Sequence, residues 1–295
     1  MANAHAEKSY IEKTVKAVYK KNYDVLVAGG GIAGCAAALA ARRSGLTVLL
    51  VEKTINLGGL ATNGLVVYYN PSLCDRKGNQ LIGGISEELM HRSIRYGQGA
   101  IPEPWSYRAG KVDKDTPYQT KFSAPAFVAA LDEIMAEEGV DLLFDSLCCD
   151  VEINDGTAAG VFIENKEGRV YYGVKALIDT TGDADLFFRA GAPCVSDLNW
   201  NSYWAMMVNM DTLREGLEKG DIREITKVKS FASGMDGLNN PPGLRQYTIE
   251  TGEEVSAYIR DGRSYFLRYL QGMDKNRELP VSVPNQAQYR TTRRI

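Results

Sequence analysis

Three glycines, Gly29, Gly31 and Gly34, stand at the spacing G-x-G-x-x-G within YDVLVAGGGIAGCAAALAARRSGLTVLLVEK, residues 23–53. Glycine at the first position permits a tight turn. At the second it lets the backbone approach a pyrophosphate, and at the third it lets a helix lie close to a strand. Ile32 and Ala33 follow the second glycine and open that helix, whose N-terminal N–H groups and partial positive charge attract phosphates. Glu52 stands 21 residues after Gly31, with Lys53 beside it. An acid there can accept hydrogen bonds from ribose hydroxyls. The chemistry on offer is the binding of a dinucleotide.

Such a turn works only if the elements around it hold it. Residues 25–28 read as a short apolar strand of a buried parallel sheet, residues 32–44 as a helix of small residues, and residues 47–53 as a second strand. This βαβ unit implies a right-handed crossover. A Gly- and Asn-rich loop at 56–64 follows, then a possible strand at 65–69 and a helix at 85–96. Residues 97–120 read as an irregular excursion, and 125–138 as a helix closed by Gly139. Turn signals at Asn154-Asp155-Gly156 and Lys166-Glu167-Gly168 mark an antiparallel meander that feeds a strand ending near Asp183. After Cys194 the pattern changes to aromatic and Met-rich strand material, then a helix at 253–270. Ile11, Val15, Val18 and Tyr19 fall at helical spacing, which suggests an amphipathic leader.

The fold class expected is α/β: a Rossmann-like domain with a parallel sheet and a small antiparallel meander, plus a mixed α+β substrate region. The expected division is a leader at 1–23, a discontinuous nucleotide-binding domain at 24–72 and 121–193, and a substrate or cap region at 73–120 and 194–295.

Composition narrows the function. The 295 residues carry a formal charge of −3, without the basic excess that nucleic-acid binding calls for. Apolar runs are too short to span a bilayer, and the N-terminus lacks the apolar core of a secretory signal. A cytoplasmic protein is expected. Five cysteines without Cys-x-x-Cys indicate neither a disulfide framework nor a zinc site. Cys148 and Cys149, adjacent in a strand, are expected to face opposite ways as small hydrophobes. Only two histidines occur, His5 in the leader and His91 at an expected surface position, so a His-dependent triad or His-rich metal site is not indicated.

The tract EKTINLGGLATNG resembles the flavin-dependent oxidoreductases of the glutathione-reductase-like superfamily. LIGGISEEL and ALIDTTGDADLFFRAGA resemble one branch of it, the FAD-dependent oxidoreductases. The resemblance runs from Asp24 to Gly191 and is weaker over 70–120. It implies FAD as cofactor, with Gly58 and Gly59 in a loop wrapping it and Thr62, Asn63 and Gly64 toward the flavin ring. It also implies that Thr181, Gly182 and Asp183 return the chain to the cofactor, with the backbone of Cys148 near the adenine. Plain loop chemistry is the other reading of the glycines, and an acidic helix start the other reading of Asp183 and Asp185.

The resemblance further implies transfer of a hydride or electron pair between the flavin and a small organic substrate, with an unspecified electron acceptor. No residue stands out as a general base. Trp200, Tyr203, Trp204, Met206 and Met207 read as core or as a substrate pocket. Arg290, Arg293 and Arg294 read as a solvated charge run or as a site for a carboxylate or phosphate. Family members continue past this point into a segment whose Gly-Asp pair binds the ribityl chain, so a C-terminally truncated chain is expected. Two alternatives stay open: an NAD-binding dehydrogenase, and a non-catalytic binding module of flavoprotein fold such as the GDP dissociation inhibitors.

Overall fold

A computed structural model describes residues 11–69, 81–97, 120–232, 240–287 and 293–295. The βαβ unit forms as its sequence pattern requires: β1 (Val18–Ala28), α1 (Ile32–Arg43) and β2 (Val48–Val51). Along β1, alternate residues supply two cores. Val25 and Val27 pack on the α1 side, while Leu26 and Ala28 face the other. A strand buried on both faces reads as a continuous apolar run, which is why VLVA was recognisable. Among the described residues 11–23 no leader helix forms. Val18 and Tyr19, both more than half exposed, instead extend β1 and pair with Val170 and Tyr171, and Ile11 is 98% exposed. Their helical spacing found no surface to bury against. The first ten residues, His5 included, lie outside the described residues.

The chain continues through β3 (Tyr68–Tyr69), α2 (Ile85–Ile94), β4 (Thr120–Lys121), α3 (Ala124–Glu138), β5 (Asp141–Leu143), β6 (Leu147–Asn154), β7 (Thr157–Asn165), β8 (Gly168–Asp179) and α4 (Asp185–Arg189). One six-stranded sheet has the order β5-β2-β1-β8-β7-β6. The first four strands are parallel, and β7 and β6 complete the sheet antiparallel. The last meander strand and the returning strand are thus one element: β8 pairs antiparallel with β7 and parallel with β1. Helices α1 and α3 cover one face, with Ala38, Leu39, Phe127, Leu131 and Ile134 in the core. Helix α3 starts at Ser123, whose hydroxyl accepts from Ala126 N–H, and ends at Gly139 in the left-handed region. His91, expected at the surface, is half-buried on α2.

Beneath α1, Cys35 is fully buried and donates its thiol to the Gly30 carbonyl. Burial raises the thiol from its ordinary 9.0 to about 12, because the thiolate would lose its hydration. Cys35 is therefore expected to escape iodoacetamide in the folded chain at pH 8 and to react once the chain is unfolded in urea. Peptide mass mapping reads the difference, and rapid native labelling of Cys35 would contradict this packing. The associated stability is fully present below about pH 9 and is lost as the pH rises toward 12.

The remaining residues form β9 (Val195–Ser196), β10 (Asn199–Trp200), β11 (Tyr203–Asn209), α5 (Met210–Lys219), β12 (Lys227–Ala232), β13 (Gln246–Tyr247), α6 (Gly252–Gly272), β14 (Glu278–Ser282) and β15 (Arg293–Arg294). Strands β12-β11-β14 make an antiparallel sheet. The alternation of β11 resolves its aromatic and Met residues into two sets. Tyr203, Ala205 and Met207 are buried, and the Tyr203 ring packs at a tilt against Phe231 of β12 and Phe266 of α6. Trp204 and Met206 pack against the α1–α3 core, with Trp204 Nε1 donating to Leu65 O at 3.3 Å. The second sheet is thereby tied to the loop that follows β2.

Candidate functional site

Strands β1, β2 and β8 end side by side, and the glycine turn leaves from that edge. At Gly29 the backbone has φ +105°, and a Cβ would lie 2.5 Å from the Thr180 carbonyl oxygen. At Gly34 a Cβ would lie 1.9 Å from the Gly29 carbonyl oxygen, so α1 rests directly on the turn. A Cβ on Gly31, in contrast, would meet no atom within 4 Å. The first and third glycines serve packing, and the second faces open space. No side chain caps α1, and its first turn contains no acid. Its leading N–H groups are left for an outside acceptor.

The loop after β2 lies against this turn. Gly58 N–H donates to Gly30 O at 2.8 Å, and Gly58 forms a parallel bridge with Gly31. Buried Glu52 braces both segments: its carboxylate accepts from Gly30 N–H at 2.7 Å and from Thr54 N–H at 2.8 Å. Each oxygen has capacity to accept a further hydrogen bond, and Glu52 lines the cleft described below. Thr62 donates to Leu57 O at 2.5 Å, and Asn63 links to Thr54 and Asn56 at 3.0 and 3.1 Å. Gly64 closes the loop, donating its N–H to Gly59 O at 3.1 Å.

Two residues at the end of β8 matter that the sequence reading passed over. Thr180 Oγ1 lies 2.9 and 2.8 Å from the carbonyl oxygens of Ala28 and Gly29, joining β8 to the turn. Asp179 accepts from Thr181 N–H and hydroxyl with one oxygen, and from Leu186 and Phe187 N–H with the other. It thereby caps α4 from outside the helix. Replacing Asp179 with Ala is expected to destabilise the chain by about 1–2 kcal/mol, as loss of a helix cap does. Urea denaturation would measure this, and an unchanged midpoint would contradict the capping role. The only sequence signal was an acid a few residues ahead of an apolar helix start.

A cleft of about 290 Å³ opens among these segments. It is lined by Gly29, Gly31, Ile32, Ala33, Glu52, Lys53, Gly58, Gly59, Cys148, Thr181 and Gly182, all singled out from the sequence, and also by Ser146, Thr180, Asp185 and Gln286. Gly34 lies under the turn. Half-buried Asp183 stands just ahead of α4. Thr62 and Asn63 line a neighbouring cavity. Cys148 is buried and Cys149 half-buried, as adjacent strand residues should be.

Burial pushes the Asp185 carboxyl above its usual range, against the pull of Arg293 at 2.7 Å. Arg293 also stacks on Phe188, and Arg294 pairs with Asp197. The two arginines hold acids of their own chain. Arg290 lies outside the described residues, as does most of the excursion before β4.

A parallel sheet, a glycine turn open at its second glycine and an uncapped helix define a dinucleotide-binding α/β protein. The profile described as FAD dependent oxidoreductase matches residues 24–236, and the chain belongs to that family. Of the dinucleotides the turn left open, family membership selects FAD. The chain is 27% identical over 233 residues to the tRNA uridine 5-carboxymethylaminomethyl modification enzyme MnmG of Lactococcus lactis subsp. cremoris (strain MG1363), covering 74% of this chain and 34% of that one. The enzyme of the same name from Geobacter sulfurreducens is 60% identical over 43 residues, 15% of this chain and 6% of its own. The chain thus spans about a third of the first of these relatives. Among solved structures, a geranylgeranyl bacteriochlorophyll reductase-like protein from Thermoplasma acidophilum aligns over 92% of this chain and 66% of its own, with TM-score 0.49 and 16% identity. Among the described residues no cluster of metal-ligating side chains occurs, and no helix is long and apolar enough to cross a membrane.

Proposed function

We propose that the chain holds the ADP half of FAD in the cleft and directs the flavin along the Gly58–Gly64 loop toward Thr62 and Asn63. The observation that carries this reading is the open face of Gly31 ahead of an uncapped helix, where a pyrophosphate meets backbone donors and no side chain. Glu52 would accept from the ribose, Lys53 would stand at its outer side, and Ser146 to Cys148 would flank the adenine. Thr181 and Gly182 would close the cleft from β8, with Asp183 behind them. The cofactor-binding unit is then 24–72 with 121–193, β1 reaching back to Val18, and the rest forms the substrate side.

The reaction proposed is transfer of a hydride or electron pair between a small organic substrate and the flavin, in the cytoplasm. FAD supplies the redox chemistry when bound. The chain's residues position it and exclude water. The tRNA substrate named for the relatives is not carried over, because the charge of −3 offers no excess of cations for a polyanion. An absorption spectrum of the purified chain, with and without added FAD, tests the reading. Flavin bands that survive gel filtration, with FAD released on denaturation, are expected. A colourless chain that takes up no added FAD would overturn it.

A further inference from the structure

The nucleotide cleft is walled by residues between Gly29 and Asp185, with one exception: Gln286, from the segment that follows β14. Local contacts hold that segment in place. Pro284 is buried, and Asn285 N–H donates to Asn63 O at 2.7 Å, which ties it to the loop after β2. Half-buried Gln286 then reaches the glycine turn. Its Oε1 lies 3.8 Å from the point that a Cβ on Gly59 would occupy, and Gly31 Cα lies 3.0 Å from the same point. The Gln286 side chain forms no hydrogen bond with any described residue. A glutamine amide carries two donors and an acceptor, and rotation about its last bond exchanges the two ends.

The charges around this amide give it weight. The cleft is lined by two acids, Glu52 and Asp185, and by one lysine, Lys53, beside Glu52. A pyrophosphate is anionic, and the described lining offers it no arginine. Neutral donors must therefore carry most of its binding. The N–H groups at the start of α1 approach from the turn, and Gln286 approaches from the second half of the chain. A hydrogen bond to a charged group is stronger than one between neutral groups. An amide supplies it without the cost of desolvating a second ion.

We infer that Gln286 donates a hydrogen bond to the cofactor's pyrophosphate, so that a bound nucleotide fastens the segment after β14 to the glycine turn. This rests on the proposed placement of FAD. Titration of the full chain with FAD and, separately, with ADP tests it. Gln286→Ala is expected to weaken both ligands about tenfold or more, while the ligand-free chain keeps its melting temperature within about 2 °C. Gln286→Glu is expected to weaken both about a hundredfold at pH 8, because the carboxylate repels the phosphates. Against the unaltered chain that deficit narrows about tenfold at pH 5, as protonation removes the charge and restores a donor. Saturating ADP is expected to slow amide hydrogen exchange across residues 283–287 about threefold or more in the unaltered chain, and not in Gln286→Ala. Undiminished binding of both ligands by both variants would overturn the inference. So would loss of FAD binding with ADP binding intact, which puts Gln286 beside the flavin half. Gly31→Glu, titrated alongside, reports the placement itself. If it binds FAD as the unaltered chain does, the placement falls and takes the inference with it. If it loses FAD while the Gln286 variants keep it, the inference alone falls.

Discussion

Gly31→Glu is expected to weaken FAD binding by about a hundredfold or more, roughly 2.7 kcal/mol, while leaving the melting temperature within about 2 °C of the unaltered chain. The fold tolerates the change because a Cβ at this position meets no neighbour within 4 Å. The backbone there has an ordinary φ of −65°. A carboxylate at the start of α1 even favours the helix slightly, by about 0.3–1 kcal/mol. The same carboxylate occupies the cleft, takes the N–H groups proposed for the pyrophosphate and repels its charge. Titration of the purified variant with FAD, followed by flavin fluorescence, reads the affinity. Undiminished binding would show that the phosphates do not pass Gly31, and the proposed placement would fall with it.

The complementary result is expected three residues later. Gly34→Val is expected to cost about 3 kcal/mol or more of folding stability, because its Cβ would fall 1.9 Å from the Gly29 carbonyl oxygen and 2.8 Å from Thr180 Oγ1. Neither neighbour can give way easily: one is backbone, and the other is held by the Ala28 and Gly29 carbonyls. The helix must move off the turn. For a chain of this size the change corresponds to a fall in melting temperature of about 6 °C or more. Thermal unfolding in the absence of FAD measures it without reference to the cofactor. A variant that melts with the parent would mean that α1 does not rest on the turn as described. Two glycines of one motif thus separate binding from folding.

That separation was legible in the sequence because strand, turn and helix are local, and each glycine's duty follows from its place in them. The meander was legible for the same reason, its turns being marked by Asp155-Gly156 and Glu167-Gly168. What escaped was settled by partners distant in the chain. Val18 and Tyr19 carry a helical spacing, yet β8 is long enough to pair with them, and an edge of unpaired backbone outweighed a weak periodicity. Thr180 and Asp179 look like ordinary strand-end residues until the Gly29 carbonyl and the start of α4 are set beside them. Arg293 and Arg294 carried no sign that Asp185 and Asp197 would engage them. The cavity lined by Thr62 and Asn63 draws its wall from segments as far apart as Asn56 and Asn285, so no local pattern announces it.

The position of β8 beside β1 also has a meaning in time. A chain leaving the ribosome completes β1, α1 and β2 by residue 51, but Thr180 follows about 130 residues later. At about 5–20 residues per second, that interval lasts roughly 10 s. Throughout it the glycine turn exists without the strand that steadies its carbonyls, and one edge of β1 stands open to any passing strand. The cleft therefore cannot be complete before residue 180 has been made, and FAD held as proposed would meet a sheet all of whose six strands have already been synthesised.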